Sequence, residues 1–97
     1  MAVGQGTVTF SFGSAPGTNI VTSTVTGQTG IDATSKVEIY FMGTDSTADH
    51  NAYEHAIMAL SVALSCITIT PGTGFTAQAT SLARLTGDIK ARYVWTN

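Results

Sequence analysis

Residues Asp49 to His55 read DHNAYEH and hold both histidines of the chain, His50 and His55, with Asp49 and Glu54 beside them. Imidazole nitrogen and carboxylate oxygen are the usual donors to zinc and other divalent ions. On a helix His50 and Glu54 stand four residues apart and share a face. His55 lies one residue further round and joins them poorly. His50, Glu54 and His55 are therefore the candidate metal ligands, but a poor set. Their order, H-x-x-x-E-H, misses the H-E-x-x-H and H-x-x-E-H patterns of zinc proteases. The reading preferred here is a polar loop whose histidines and acids hydrogen-bond one another or a neighbouring subunit. On that reading no metal, cofactor or catalytic residue is assigned, and Asp49, His50, Tyr53, Glu54 and His55 are candidate interface residues.

Other chemistry finds little support. The glycines sit singly at turns, so no loop cradles a phosphate. Cys66 lies in an apolar run with no histidine near it in sequence, which raises a thiol's pKa and suits a small buried hydrophobe. No serine stands in a nucleophile elbow. Six acids without an aromatic platform make sugar hydrolysis by paired carboxylates a poor fit. Tyr93 and Trp95 could stack on a sugar or base. On alternating strand positions they serve more often as core or interface anchors, and they join the candidate interface residues.

These side chains are carried by segments that read as strands. Gly6 to Phe12 alternates Val8, Phe10 and Phe12 with Thr7, Thr9 and Ser11, the period of a half-buried strand. Asn19 to Thr26 is β-branched at most positions. Lys36 to Met42 places Val37, Ile39 and Phe41 on one face. Phe75 to Ser81 and Asp88 to Thr96 also alternate, the last with Ile89, Ala91, Tyr93 and Trp95 together. Gly13 to Gly17, Gly27 to Thr34, Gly43 to Thr47, Pro71 to Gly74 and Gly87 read as turns.

The middle of the chain is ambiguous. Tyr53, Ile57, Leu60 and Leu64 follow helical spacing, yet Met58, Leu60, Val62 and Leu64 alternate as a strand would. The reading adopted is a short helical turn over residues 48–54, N-capped by Thr47. A strand follows from about Ile57 to Leu64, then a kink at Ser65 and a strand to Thr70. The core is expected to hold Val8, Phe10, Phe12, Val37, Ile39, Phe41, Leu60, Val62, Ile67, Ile69, Phe75 and Tyr93. Ile31 is a further anchor beneath its loop.

A single all-β domain over residues 1–97 follows, a small β-sandwich or jelly-roll-like fold of six or seven strands. With 97 residues, two cores will not fit. Charged residues make up only 10%, and 17 threonines and 8 serines take their place. Four Lys and Arg give no basic footprint for nucleic acid or anionic membrane. The first residues lack the positive region and apolar run of a signal peptide, and the most apolar stretch, Ala56 to Ile69, is too short and too broken to span a membrane. Synthesis in a cytoplasm is the expectation. Charge depletion with retained aromatics is the style of a buried interface, and strand edges without charge leave pairing with another chain open. Both features favour a protein that packs against copies of itself or other subunits.

The segments GTVTFSFGSAPGT, TGQTGI, ATSKVEIYFM, TADHNAYEH, PGTGFT and RLTGDIKARYVW together resemble a family of short virion-associated proteins of tailed bacteriophages. The resemblance spans nearly the whole chain, and TADHNAYEH and GTGFT are its most specific parts. It implies a non-enzymatic structural protein of the virion, made in the host bacterial cytoplasm. The expected role is capsid decoration or cement, as a homo-oligomer, with a trimer preferred, docked on other phage structural proteins such as the major capsid protein. The alternative is a tail or fibre component that binds host glycan or another tail protein.

Overall fold

In the computed structural model, which describes residues 2–42 and 44–96 (the side chain of residue 59 aside), the alternating segments become six strands and one helix. These are β1 (Val3–Ser11), β2 (Thr18–Val25), β3 (Lys36–Tyr40), α1 (Ala52–Ser61), β4 (Val62–Thr70), β5 (Gly74–Leu85) and β6 (Asp88–Thr96). They form two three-stranded antiparallel sheets, ordered β1-β6-β3 and β2-β5-β4. The chain therefore passes between sheets at every connection but one, the β4–β5 hairpin over Pro71–Thr73. Pairing is nested, first strand with last and second with fifth, and this wraps the chain around one core. The protein is a small all-β sandwich. Among the described residues no helix is long and apolar enough to cross a membrane.

The core follows the strand alternation. Val8, Phe10, Ile39, Ile89, Ala91, Tyr93 and Trp95 come from the first sheet, and Val62, Phe75, Ala77 and Ala79 from the second. Phe12, Ile31 and Met58 close the ends. Phe75 meets Tyr93 across the sandwich edge to face, with ring centroids 5.1 Å apart. Ala77 and Ala79 are small enough to let the aromatic rings of the facing sheet fill the interior.

Several expected core positions are corrected. Val37, Phe41 and Ile69 are only half-buried. Ile67 is 50% exposed because it falls on the outward phase set by Val62, Leu64 and Cys66; the β4–β5 register shift between Cys66 and Thr68 then returns Ile69 to the inner face. Leu60 is 91% exposed because it lies on a helix, not on the expected strand.

The helix is the main departure. It covers Ala52–Ser61, so the turn expected over 48–54 begins late and the strand expected from Ile57 starts only at Val62. The run AYEHAIMALS is rich in strong helix formers and has one β-branched residue. Its N-cap is Asn51, not Thr47. The Asn51 side chain accepts from the Glu54 N–H at 2.9 Å and the Glu54 carboxylate accepts from the Asn51 N–H at 3.0 Å, a reciprocal capping box. The helix ends where extended Val62 begins a β-branched and hydroxylated run.

The aromatic pair of β6 is seated by two glycines on β1. Gly4 pairs with Trp95 and Gly6 with Tyr93, and a Cβ at either glycine would collide with the ring opposite. Gln28 closes both polar tips: its Oε1 accepts from Trp95 Nε1 at 2.9 Å and its Nε2 donates to Tyr93 Oη at 3.0 Å. Gly6→Ala places its methyl 2.6 Å from the Tyr93 hydroxyl. The expected cost is about 1–3 kcal/mol by overpacking. Chemical denaturation measures it, and removing the Tyr93 ring in a second variant should relieve it. An unchanged midpoint in Gly6→Ala alone would refute this seating.

Arg92 of β6 grips Asp45 with two parallel hydrogen bonds, 3.0 Å from Nε and 2.7 Å from Nη2. Asp45 is 5% exposed. The Arg92 hydrogen bonds, aided by its charge and opposed by burial, hold the Asp45 carboxyl below its ordinary value. A carboxyl that binds its proton less readily folded than unfolded contributes stability above the ordinary carboxylate range. That contribution is lost as pH falls through the depressed folded value. Thermal melts from neutral pH into this acid window should show a steeper acid decline for the parent chain than for Asp45→Asn. Parallel declines would count against it.

Candidate functional site

The polar segment that drew attention in the sequence folds onto the turn between β5 and β6. Thr47 organises it: its hydroxyl donates to the Asp88 carbonyl at 2.6 Å and accepts from the Asp49 and His50 N–H groups. The Asp49 carboxylate accepts from the Asp88 N–H at 2.8 Å. Gly87, at φ +79°, allows this approach, because a Cβ there would lie 2.7 Å from that of Asp49. His50 donates from Nε2 to the Thr86 carbonyl at 2.6 Å, and its Nδ1 faces Glu54 Oε2 at 3.4 Å. The Asn51 N–H first, and His50 second, hold the Glu54 carboxyl below its ordinary value.

His55 points the other way, into the protein, and is fully buried. Its Nδ1 donates to the Asn51 carbonyl at 3.0 Å and its Nε2 accepts from the Lys90 N–H at 3.0 Å. Phe41 packs on it edge to face. Both ring nitrogens are thus committed to backbone, and the imidazole ties α1 to β6.

The candidate ligands do not converge. His50 and Glu54 meet, but His55 offers neither nitrogen, and the two imidazoles lie with centroids 6.5 Å apart. Among the described residues no three His, Cys, Asp or Glu side chains are placed to hold one metal ion. Cys66 is half-buried, and desolvation pushes its thiol up.

The candidate interface residues divide. His55, Tyr93 and Trp95 are interior. Asp49 is exposed and His50 and Glu54 half-buried, but all three are spent on holding the loop and helix in place. Tyr53 alone stands free, 74% exposed. It begins a stripe not singled out as a surface in the sequence: Tyr53, Ile57 (48% exposed) and Leu60, at i, i+4 and i+7, face solvent. The inward face of the helix is His55 and Met58. The periodicity was visible in the residues, but periodicity alone does not say which side is wet. Leu82, fully exposed on β5, shares a groove with Leu60, Val62 and Ala63.

The outer face of β2-β5-β4 continues this surface. Thr22 and Thr24 on β2, Thr76, Gln78 and Thr80 on β5, and Ala63, Ser65 and Thr68 on β4 stand in register across it. These three strands carry a single charged residue, Arg84. The opposite sheet holds Lys36, Glu38, Asp88, Lys90 and Arg92. No protein family model, curated protein or solved structure matches this chain.

Proposed function

We propose that this protein is a non-enzymatic structural component of a bacteriophage virion, a homo-oligomeric decoration or cement subunit of the capsid. The observation that carries the assembly part is the near charge-free outer face of β2-β5-β4, joined to exposed Leu60 and Leu82. A charge-poor face of hydroxyls, one amide and the exposed Ile20 and Ile67 has the composition of an interface centre, and the large apolar side chains exposed beside it invite cover. The phage setting rests on the resemblance of TADHNAYEH and GTGFT. Partners on this reading are further copies of the chain and other structural proteins such as the major capsid protein.

The tail or fibre alternative rests on Tyr93 and Trp95 and on the polar loop from Asp49 to His55. Both rings are covered by β1 and Gln28, which leaves the loop to carry that reading. Quantitative mass spectrometry of purified virions, with immunogold labelling, separates the two. Many copies on the shell are expected. A few copies confined to the tail would transfer the protein there, and absence from the particle would end both readings.

A further inference from the structure

We propose that His55 is an acid-sensitive latch, holding α1 on β6 while its ring is neutral and letting the helix go when the ring takes a second proton. The assignment rests on what each ring nitrogen faces. The Asn51 carbonyl can only accept, so Nδ1 carries the proton. The Lys90 N–H can only donate, so Nε2 keeps its lone pair. A proton on Nε2 would set two N–H donors against each other at 3.0 Å in a fully buried site. His50 is built the opposite way. It faces the Thr86 carbonyl with Nε2 and the Glu54 carboxylate with Nδ1, two acceptors that a doubly protonated ring satisfies.

The charged groups near the ring are already engaged. Arg92 grips Asp45, the Asn51 N–H holds Glu54, and the His50 ring lies 6.5 Å away. Both carboxyls sit below their ordinary values, so they stay ionised where an imidazole titrates. Lys90 on β6 adds a charge of the same sign as a protonated ring. His55 meets β6 just past the end of β3. The β3–β6 pairing stops at Tyr40 and Arg92, and the imidazole takes the edge N–H of Lys90 beyond it. The helix is held at both ends. Asp49 and His50 pin its approach to the β5–β6 turn, and Ser61 runs straight into β4. Between these ends its inner face is His55 and Met58. Loss of the Lys90 bond therefore frees the middle of the helix and uncovers Met58 and the Phe41 ring.

Nuclear magnetic resonance of the full chain tests the latch from about pH 8 to about pH 4, across the ordinary imidazole range. At the alkaline end the unprotonated nitrogen of His55 should be Nε2. As the ring takes its second proton, protection of the Lys90 amide from exchange should fall about tenfold, the worth of one hydrogen bond. The Val94 amide, inside the β3–β6 ladder, is the reference and should hold, with circular dichroism unchanged. His55→Gln, which accepts from Lys90 without titrating, should keep Lys90 protection flat. His50→Gln should leave the loss in place. Lys90 protection that survives protonation of His55 overturns the latch. So does a ring that stays neutral until both sheets unfold, or a loss that persists in His55→Gln. A loss abolished by His50→Gln overturns it in favour of the other ring. The parent titration decides alone should His55→Gln not fold.

Discussion

Phe10→Ala is expected to cost about 3–5 kcal/mol, most of the stability of a small domain. Phe10 is fully buried on β1 and pairs with Ile89, also fully buried, on the central strand of its sheet. Alanine leaves a cavity walled by two sheets whose hydrogen-bond ladders resist collapse, so the lost transfer energy and the void add. Urea denaturation followed by circular dichroism reads the change. A variant that melts within a few degrees of the parent would show that the Phe10 face of β1 is misassigned. Phe41 separates core position from strand position. The alternation gave it the same weight as Phe10, yet it lies just past β3, half-buried against His55. Phe41→Ala should cost distinctly less.

His55→Ala is expected to cost about 2–5 kcal/mol, from the void of a fully buried ring and from an orphaned Lys90 N–H. His55→Gln discriminates the two causes. Its side-chain oxygen can reach the place of Nε2 and accept from Lys90, so it should recover part of the loss. His55→Leu fills the volume but leaves the N–H unpaired, and should recover less. Equal stability of the Gln and Leu variants would show that the ring acts by volume alone and that its bond to β6 adds nothing. Amide exchange at Lys90 gives an independent reading, faster in Leu than in Gln.

The strands were legible because alternation is a local property. Asp88–Thr96 coincides with the strand expected, and the inward set Ile89, Ala91, Tyr93 and Trp95 is the one its period predicts. Gly87 and Pro71 mark the chain reversals. The all-β class, the charge-poor surface and the poor metal spacing of DHNAYEH all follow from residue order and type. Other features needed the tertiary structure. Helix and strand competed over residues 57–61, and the outcome depended on Asn51 and Glu54 capping each other and on an imidazole reaching across to β6. Gln28 could not be paired with Tyr93 and Trp95 from sequence, because 65 and 67 residues separate them. The sharpest case is the row Tyr53, Ile57, Leu60. A helical period states that these residues share a face, but which face meets the core depends on what lies beneath. Here His55 and Met58 take the inner side, where the His55 ring accepts the Lys90 N–H, and the apolar row is left in the water.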